Sequence, residues 1–353
     1  MANARIVGLD IGSATVRAVE VRGATTATPT IVHLGEEPLP AGAVSRGEVV
    51  DPHVVGATVK RLWASGGFTS RNVILGMGNH RVAVRNLTVP RMSLRRIRES
   101  LPFQVQELLS FPVHEALLDF YPISELAADA NTDEGARIQG LLIAAVKEAV
   151  LANVLAVKLA GLTAVDVDLI PFALSRVISR GSTADQVVAQ IDVGAATTSV
   201  LISAGRVPQF VRLIPAGGID VTKALKLQLG LGDTAAETLK RSLTDGNVAA
   251  ANPVAARVVR DITHELLLSL RNTVTYFSNT RPDLAVARIV LTGGGSQLGE
   301  MAHELTDLTR LPVTAPPGEP FGISFASVAL AGQLGSARGA YLVACGLALG
   351  SSV

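Results

Sequence analysis

What is scarce in this sequence excludes several classes of protein. Cys345 is its only cysteine, so no internal disulfide and no cysteine metal cluster can form. The histidines (His33, His53, His80, His114, His264 and His303) are scattered without metal-ligand spacing and read as surface or structural residues. Lys plus Arg number 31 against 30 for Asp plus Glu, a formal charge of +1. With no global basic field, nucleic acid is not an expected partner. Aromatic residues make up only 4%, which leaves close packing to Ala, Val and Leu. The longest apolar runs, 140–146 and 341–350, fall well short of the roughly 20 residues that a membrane-spanning helix needs. Met1–Arg5 leads straight into a strand-like run without a secretory leader pattern, so a cytosolic chain is expected.

What is present is a repeat. At 353 residues and 48% hydrophobic, the chain has material for about two domains. Segments 6–21 and 188–202 share one plan: an apolar strand, Asp-x-Gly, small and hydroxyl residues, then a β-branched strand. The turns are Asp10-Ile11-Gly12 and Asp192-Val193-Gly194. Such an internal repeat predicts two related α/β lobes. Glycines let backbone approach an anionic phosphate, and amides and hydroxyls donate to it. Candidates for that cradle are Ser13 and Thr15 on one turn and Ala195, Thr197 and Thr198 on the other. A carboxylate beside phosphate requires a cation between them, so Asp10 and Asp192 are candidate Mg²⁺ ligands, acting through water. A third turn, Gly293-Gly294-Gly295-Ser296, follows a predicted strand and precedes a helix expected over 297–308. That junction suits a ligand lying against backbone, but it lacks the Gly-Lys-Ser/Thr ending of a P-loop. Glu237 and Lys240 share a helical face and fit either ribose hydroxyls or a solvated pair. Arg91, Arg95, Arg96 and Arg98 fit a solvated helix face, an acidic partner or a membrane surface.

Punctuation along the chain suggests the organisation. Asp51 caps a predicted helix with Pro52 at its first position, and Gly161 closes another that begins near Lys147. Pro102 splits or kinks the helical pattern of 94–109. Strands at 117–121 and 138–145 flank a polar loop, 127–135. The expected division is a first lobe over 1–71, an α+β insertion over 72–162, and a return to the first lobe over 163–185. The second lobe is expected over 186–220 and 288–339, a mostly helical unit over 221–287, and a closing segment 340–353 back on the first lobe.

Together with Gly47-Glu48-Val49-Val50-Asp51, Val89-Pro90-Arg91-Met92-Ser93, Leu109-Ser110-Phe111-Pro112, Asp168-Leu169-Ile170-Pro171-Phe172 and Gly217-Gly218-Ile219-Asp220, these motifs resemble the actin-like ATPase superfamily. Within it the chain resembles the PilM family of type IV pilus assembly proteins. The resemblance implies an α/β, actin-like ATPase fold of two lobes with the inserted subdomain that PilM shares with FtsA. It implies ATP with Mg²⁺ between the lobes. Gly12 and Arg17 would join the first phosphate motif, Gly194, Gly217 and Gly218 the second, and Gly294, Gly295 and Ser296 the adenosine contact. It also implies a scaffold at the inner face of the cell membrane that binds the N-terminal cytoplasmic tail of PilN. That tail would lie in a groove between first lobe and insertion, with Val82–Val89, Phe103, Leu108 and the arginine cluster as candidates. Other inner-membrane pilus assembly proteins and self-association are further implied partners. The alternative is an FtsA-like ATPase with true hydrolytic activity, although FtsA ends in an amphipathic helix and this sequence stops at Gly350-Ser351-Ser352-Val353. Two departures stand out: Arg17 replaces a usual Lys, and Ile170 stands before Pro171 where family members often carry an acid. The second departure predicts slow or absent hydrolysis.

Overall fold

The computed structural model describes residues 4–127, 135–181, 186–244, 246–316, 322–336 and 339–350, so the polar loop expected at 127–135 and the last three residues lie largely outside it. Strands β1 (Arg5–Ile11) and β2 (Thr15–Arg22) form the first hairpin, followed by β3 (Thr30–Pro38). Short β4 (Val44–Ser45) and β5 (Glu48–Val49) pair ahead of α1 (Pro52–Gly66). Next come β6 (Asn72–Met77), β7 (Val82–Pro90), α2 (Leu94–Gln104), β8 (Ala116–Leu126) and β9 (Arg137–Val146). Helix α3 (Lys147–Leu159), β10 (Thr163–Leu169) and α4 (Ile170–Ile178) end the first half. The second half opens with β11 (Val187–Val193), β12 (Thr198–Ala204) and β13 (Val207–Ile214). Helices α5 (Gly218–Leu229), α6 (Asp233–Ser242), α7 (Gly246–Ala251) and α8 (Pro253–Thr280) follow. Then come β14 (Val286–Thr292), α9 (Met301–Thr309), β15 (Val313–Thr314), β16 (Ser324–Phe325), α10 (Val328–Ser336) and α11 (Leu342–Ala348).

The repeat extends to whole sheets. One runs β10-β6-β1-β2-β3-β16, the other β13-β12-β11-β14-β15. Each opens with an antiparallel hairpin, continues antiparallel on its outer side, and adds a parallel strand beside the first. The hairpin registers end at Ile11↔Val16 and Val193↔Thr198. In both turns glycine N–H donates to a threonine carbonyl 3.0 Å away: Gly12 to Thr15, Gly194 to Thr197. The local caps also form: Asp51 accepts from His53 N and Val54 N at 3.0 and 3.1 Å, and Gly67 ends α1 with φ 70°.

The expected boundaries need correction. β6 lies in the first sheet between β1 and β10, and α3 packs on α1 in that sheet's core. The separate unit is therefore the antiparallel sheet β7-β9-β8 with α2, whose core includes Val89, Ile97, Leu101 and Phe120. Likewise β16 pairs with β3, so the chain has returned to the first sheet by Ser324, ahead of 340. The helix expected at 297–308 begins only at Met301, after a 3₁₀ turn over Gly294–Gln297. Its cause is the glycine run, which turns the chain before a helix can nucleate.

Two glycines set the interior. Gly8 of β1 lies against the α11 backbone at Ala344 and Ala348, and Gly346 of α11 lies against the Ala173 carbonyl of α4. A methyl group at either position would overlap backbone that cannot swing aside. Gly8→Ala or Gly346→Ala is expected to lower stability by about 1–3 kcal/mol or more, through overpacking. Gly332→Ala, in open space on α10, serves as the control and should be neutral or better. Thermal melts of the three variants check this, and equal midpoints would refute it.

Candidate functional site

The two Asp-x-Gly turns face one another across the lobe boundary. Burial pushes the Asp10 carboxyl from 3.8 up to about 6; Arg17 partly offsets that, and the charge of Asp192 adds to it. Burial also raises Asp192, against a 2.8 Å hydrogen bond donated to it by the Thr292 hydroxyl. Two desolvated carboxyls that repel each other fit a site for a divalent cation.

Loops of the second lobe converge on the second turn. Gly218 N–H donates to the Gly194 carbonyl at 3.0 Å and Ile219 N–H to the Ala195 carbonyl at 2.7 Å. A side chain on Gly217 would collide with those same carbonyls. Gly293, with φ 87°, and Gly295 both lie against Val193, while Gly294 faces open space. Glu237 and Lys240 pair at 2.6 Å, and Lys240 Nζ also donates to the Gly218 carbonyl at 3.1 Å. Burial alone would raise Glu237, but hydrogen bonds from Lys240, Thr222 and Arg241 outweigh it and hold the carboxyl at about 2. So Asp192, Gly194, Ala195, Gly217, Gly218, Glu237, Lys240, Gly294, Gly295 and Ser296 occupy one connected surface, with the Ser296 hydroxyl donated to the Gly293 carbonyl at 2.6 Å.

The first lobe contributes a row of strand ends. Gly12, Gly78 and Ile170 each follow directly on the last residue of the neighbouring strands β1, β6 and β10. A methyl on Gly78 would lie 3.0 Å from Ile170 Cβ. Ser13 and Thr15 are part-exposed on that turn, and Arg17 is held by Glu36 at 2.9 Å. Thr198 is a correction: it is fully buried, and its hydroxyl donates to the Ala216 carbonyl at 2.8 Å, so it braces the turn instead of lining it. Asp168, an acid two positions before Ile170, is buried and bonded to Arg176, whose Nε also donates to the Gly346 carbonyl at 3.0 Å. Sequence reasoning missed Thr292 and Thr222, although Thr292 directly precedes the glycine triplet. Among the described residues no group of three metal-binding side chains occurs.

A separate groove of about 1160 Å³ opens between β8, the outer strand of the small sheet, and β10, the outer strand of the first sheet. Leu117, Tyr121, Ile143 and Phe172 supply apolar surface, and Arg98, Asp168, Arg176, Arg180 and Arg206 supply charge. Of the residues expected there, Val82 and Arg98 line it. Val89 is core, while Phe103 (81% exposed) and Leu108 (41%) stand off it. The arginine cluster is largely neutralised: Arg91 pairs with Glu125, Arg95 with Glu99 and Arg98 with Asp119.

Duplicate sheets with facing aspartate turns define a protein of the actin-like ATPase fold. A family profile described as "Type IV pilus assembly protein PilM" matches residues 8–352. The chain belongs to that family. It is 29% identical to a chain of the solved PilM-PilN type IV pilus biogenesis complex, with TM-score 0.83, covering 98% of this chain and 97% of that one. It is 25% identical over 265 residues to the cell division protein FtsA of Bacillus subtilis (strain 168), covering 68% of this chain. The match spans 58% of the length of that curated relative. The ethanolamine utilization protein EutJ from Carboxydothermus hydrogenoformans shares the fold at 17% identity and TM-score 0.56, over 99% of this chain and 91% of that one.

The raised Asp10 has a definite sign. Its ionised form is disfavoured in the folded protein, so the stability it costs is absent below 3.8, grows as pH rises from 3.8 to about 6, and is fully present above that. Asp10→Asn should therefore raise the melting point of nucleotide-free protein at pH 7, with the difference shrinking as pH falls through that window. Melts across pH test this, and a difference that grew toward acid would contradict the burial account.

Proposed function

We propose that this chain is an ATP-binding scaffold of the type IV pilus assembly platform, holding the N-terminal cytoplasmic tail of PilN in the β8–β10 groove. The observation that carries the reading is that groove, set between two sheet edges, in a chain 29% identical over almost its full length to one from a PilM-PilN complex. An extended segment recognised by apolar pockets and exposed backbone edges suits such a groove. Among the described residues no helix is long and apolar enough to cross a membrane. In this reading the chain is cytoplasmic, and the tail brings it to the inner face of the membrane beside other pilus assembly proteins.

Mg-ATP would lie between the aspartate turns. Ser13, Thr15, Ala195 and Thr197 would meet phosphate, Gly217 and Gly218 the second phosphate loop, and Gly294, Gly295 and Ser296 adenosine. Glu237 and Lys240 would meet ribose, with Arg17 flanking Asp10. The metal supplies charge neutralisation between phosphate and the facing carboxylates, and Asp10 and Asp192 hold it through water. Turnover is slow or absent in this reading, because Ile170 at the strand end cannot orient water and Asp168 is engaged by Arg176.

Calorimetry of Mg-ATP against a folded Asp10→Ala, Asp192→Ala double variant is expected to show at least a tenfold loss of affinity. Unchanged affinity would sink the metal assignment, and brisk wild-type turnover would remove the role given to Ile170. For the partner, a labelled PilN tail peptide is expected to bind wild-type protein and to lose at least tenfold with Ile143→Asp, which places a charge in the groove. Point variants are preferred to removal of 72–162, because β6 and α3 belong to the first sheet and its core. Failure of the peptide to bind wild-type protein would refute the scaffold reading.

A further inference from the structure

Beside the groove lies a second, smaller cavity of about 480 Å³, bounded by Leu151, Ala152 and Leu155 of α3 together with Glu115 and Val146. The two cavities share a wall. Leu117, Ala145 and Val150 line the groove, whereas Glu115, Val146 and Leu151, one or two residues away on the same three segments, line the smaller cavity. The crest of that wall and the face beyond it are apolar and open: Leu117 is 42% exposed, Leu151 53% and Leu155 43%. Leu159, exposed as well, continues the stripe at helical spacing.

Leu117, Leu151 and Leu155 belong to none of the buried clusters, whereas Leu159 also packs on Gly56 of α1. The core face of α3 is Ala149, Val150, Asn153, Ala156 and Val157, and Ala156 lies against Gly56 of α1. Single exposed apolar residues are ordinary, but a stripe beside a cavity of this size marks a contact surface. The rim carries Glu115, Glu148 and Lys147, charges of both signs, so what it selects is apolar bulk and not charge.

We infer that the smaller cavity is a second anchor for the segment that occupies the groove: a chain leaving over Leu117 seats an aliphatic side chain against Leu151 and Leu155. The inference rests on the groove reading above, because continuity with the groove is what names the occupant. The ligand class is a leucine-, isoleucine-, valine- or methionine-bearing stretch of the same tail, further along than the residues in the groove. Two weak anchors on one chain reinforce each other, because the second engages at the high local concentration set by the first.

The test uses two synthetic PilN tail peptides, one limited to the groove-binding stretch and one extended through the next apolar residues. Both are titrated against wild-type protein, Leu151→Glu, Leu155→Glu and Ile143→Asp. The long peptide is expected to bind wild-type protein at least tenfold more tightly than the short one. Leu151→Glu and Leu155→Glu should abolish that gain while leaving the short peptide unchanged; both sites are exposed, and matching melting points verify folding. Ile143→Asp should weaken both peptides. Equal binding of the two peptides to wild-type protein, or a gain that survives Leu151→Glu and Leu155→Glu, overturns the second anchor and leaves the groove intact. Weakened short-peptide binding by the leucine variants would make those leucines part of the groove and also overturn it. If neither peptide binds wild-type protein, the groove reading fails and the anchor falls with it.

Discussion

Close backbone packing of α11 between β1 and α4 is the constraint on which the rest of the molecule depends. Gly8 and Gly346 are the points of nearest approach, and neither has room for a methyl group. Because α11 lies that close, α4 is pressed between the two sheets: Leu174, Val177 and Ile178 join Val188 of β11 and Val290 of β14 in one buried cluster. Arg176 completes the joint, with its guanidinium bonded to Asp168 at the end of β10 and to the Gly346 carbonyl. Helix α4 thereby carries Ile170 at its first turn toward the phosphate side and Phe172, Ser175 and Ser179 along the groove.

The seam between the lobes is polar at its centre. Gln190 Nε2 lies 3.2–3.3 Å from the hydroxyls of Ser175, Ser179 and Ser203, while its Oε1 has no partner. A buried acceptor left unmet costs about 1–3 kcal/mol. The buried carboxylate of Glu20, by contrast, is well met: it accepts from Thr69 N, Thr69 Oγ1 and Ser70 N at 3.0, 2.6 and 3.1 Å.

The duplicated sheets explain why one motif yields two different surfaces. Both hairpins make the same glycine-to-threonine turn, yet only the second is backed by Gly217, Gly218 and the Glu237–Lys240 pair. Beside the first, at the ends of β6 and β10, Gly78 and Ile170 pack on one another instead. Each half lacks what the other has, and the carboxylates of Asp10 and Asp192 are where the halves meet.

Local and repeated features were legible from residue order. The Asp-x-Gly turns, the Asp51 cap, the Gly161 stop and the kinship with the PilM family need only short-range pattern, because glycine, proline and capping residues act within a few positions of themselves. Long-range assignments were not legible. Whether β6 belonged to the insertion or the first sheet, and whether β16 had already returned, depended on strand pairing between residues far apart in sequence. The role of Thr198 turned on one carbonyl 18 positions away, and Arg91 and Arg98 of the arginine cluster were paired by Glu125 and Asp119, acids of β8. The cavity beside the groove is the clearest case. Its leucines share a helical stripe, and only the packing of α3 through its other face left them exposed.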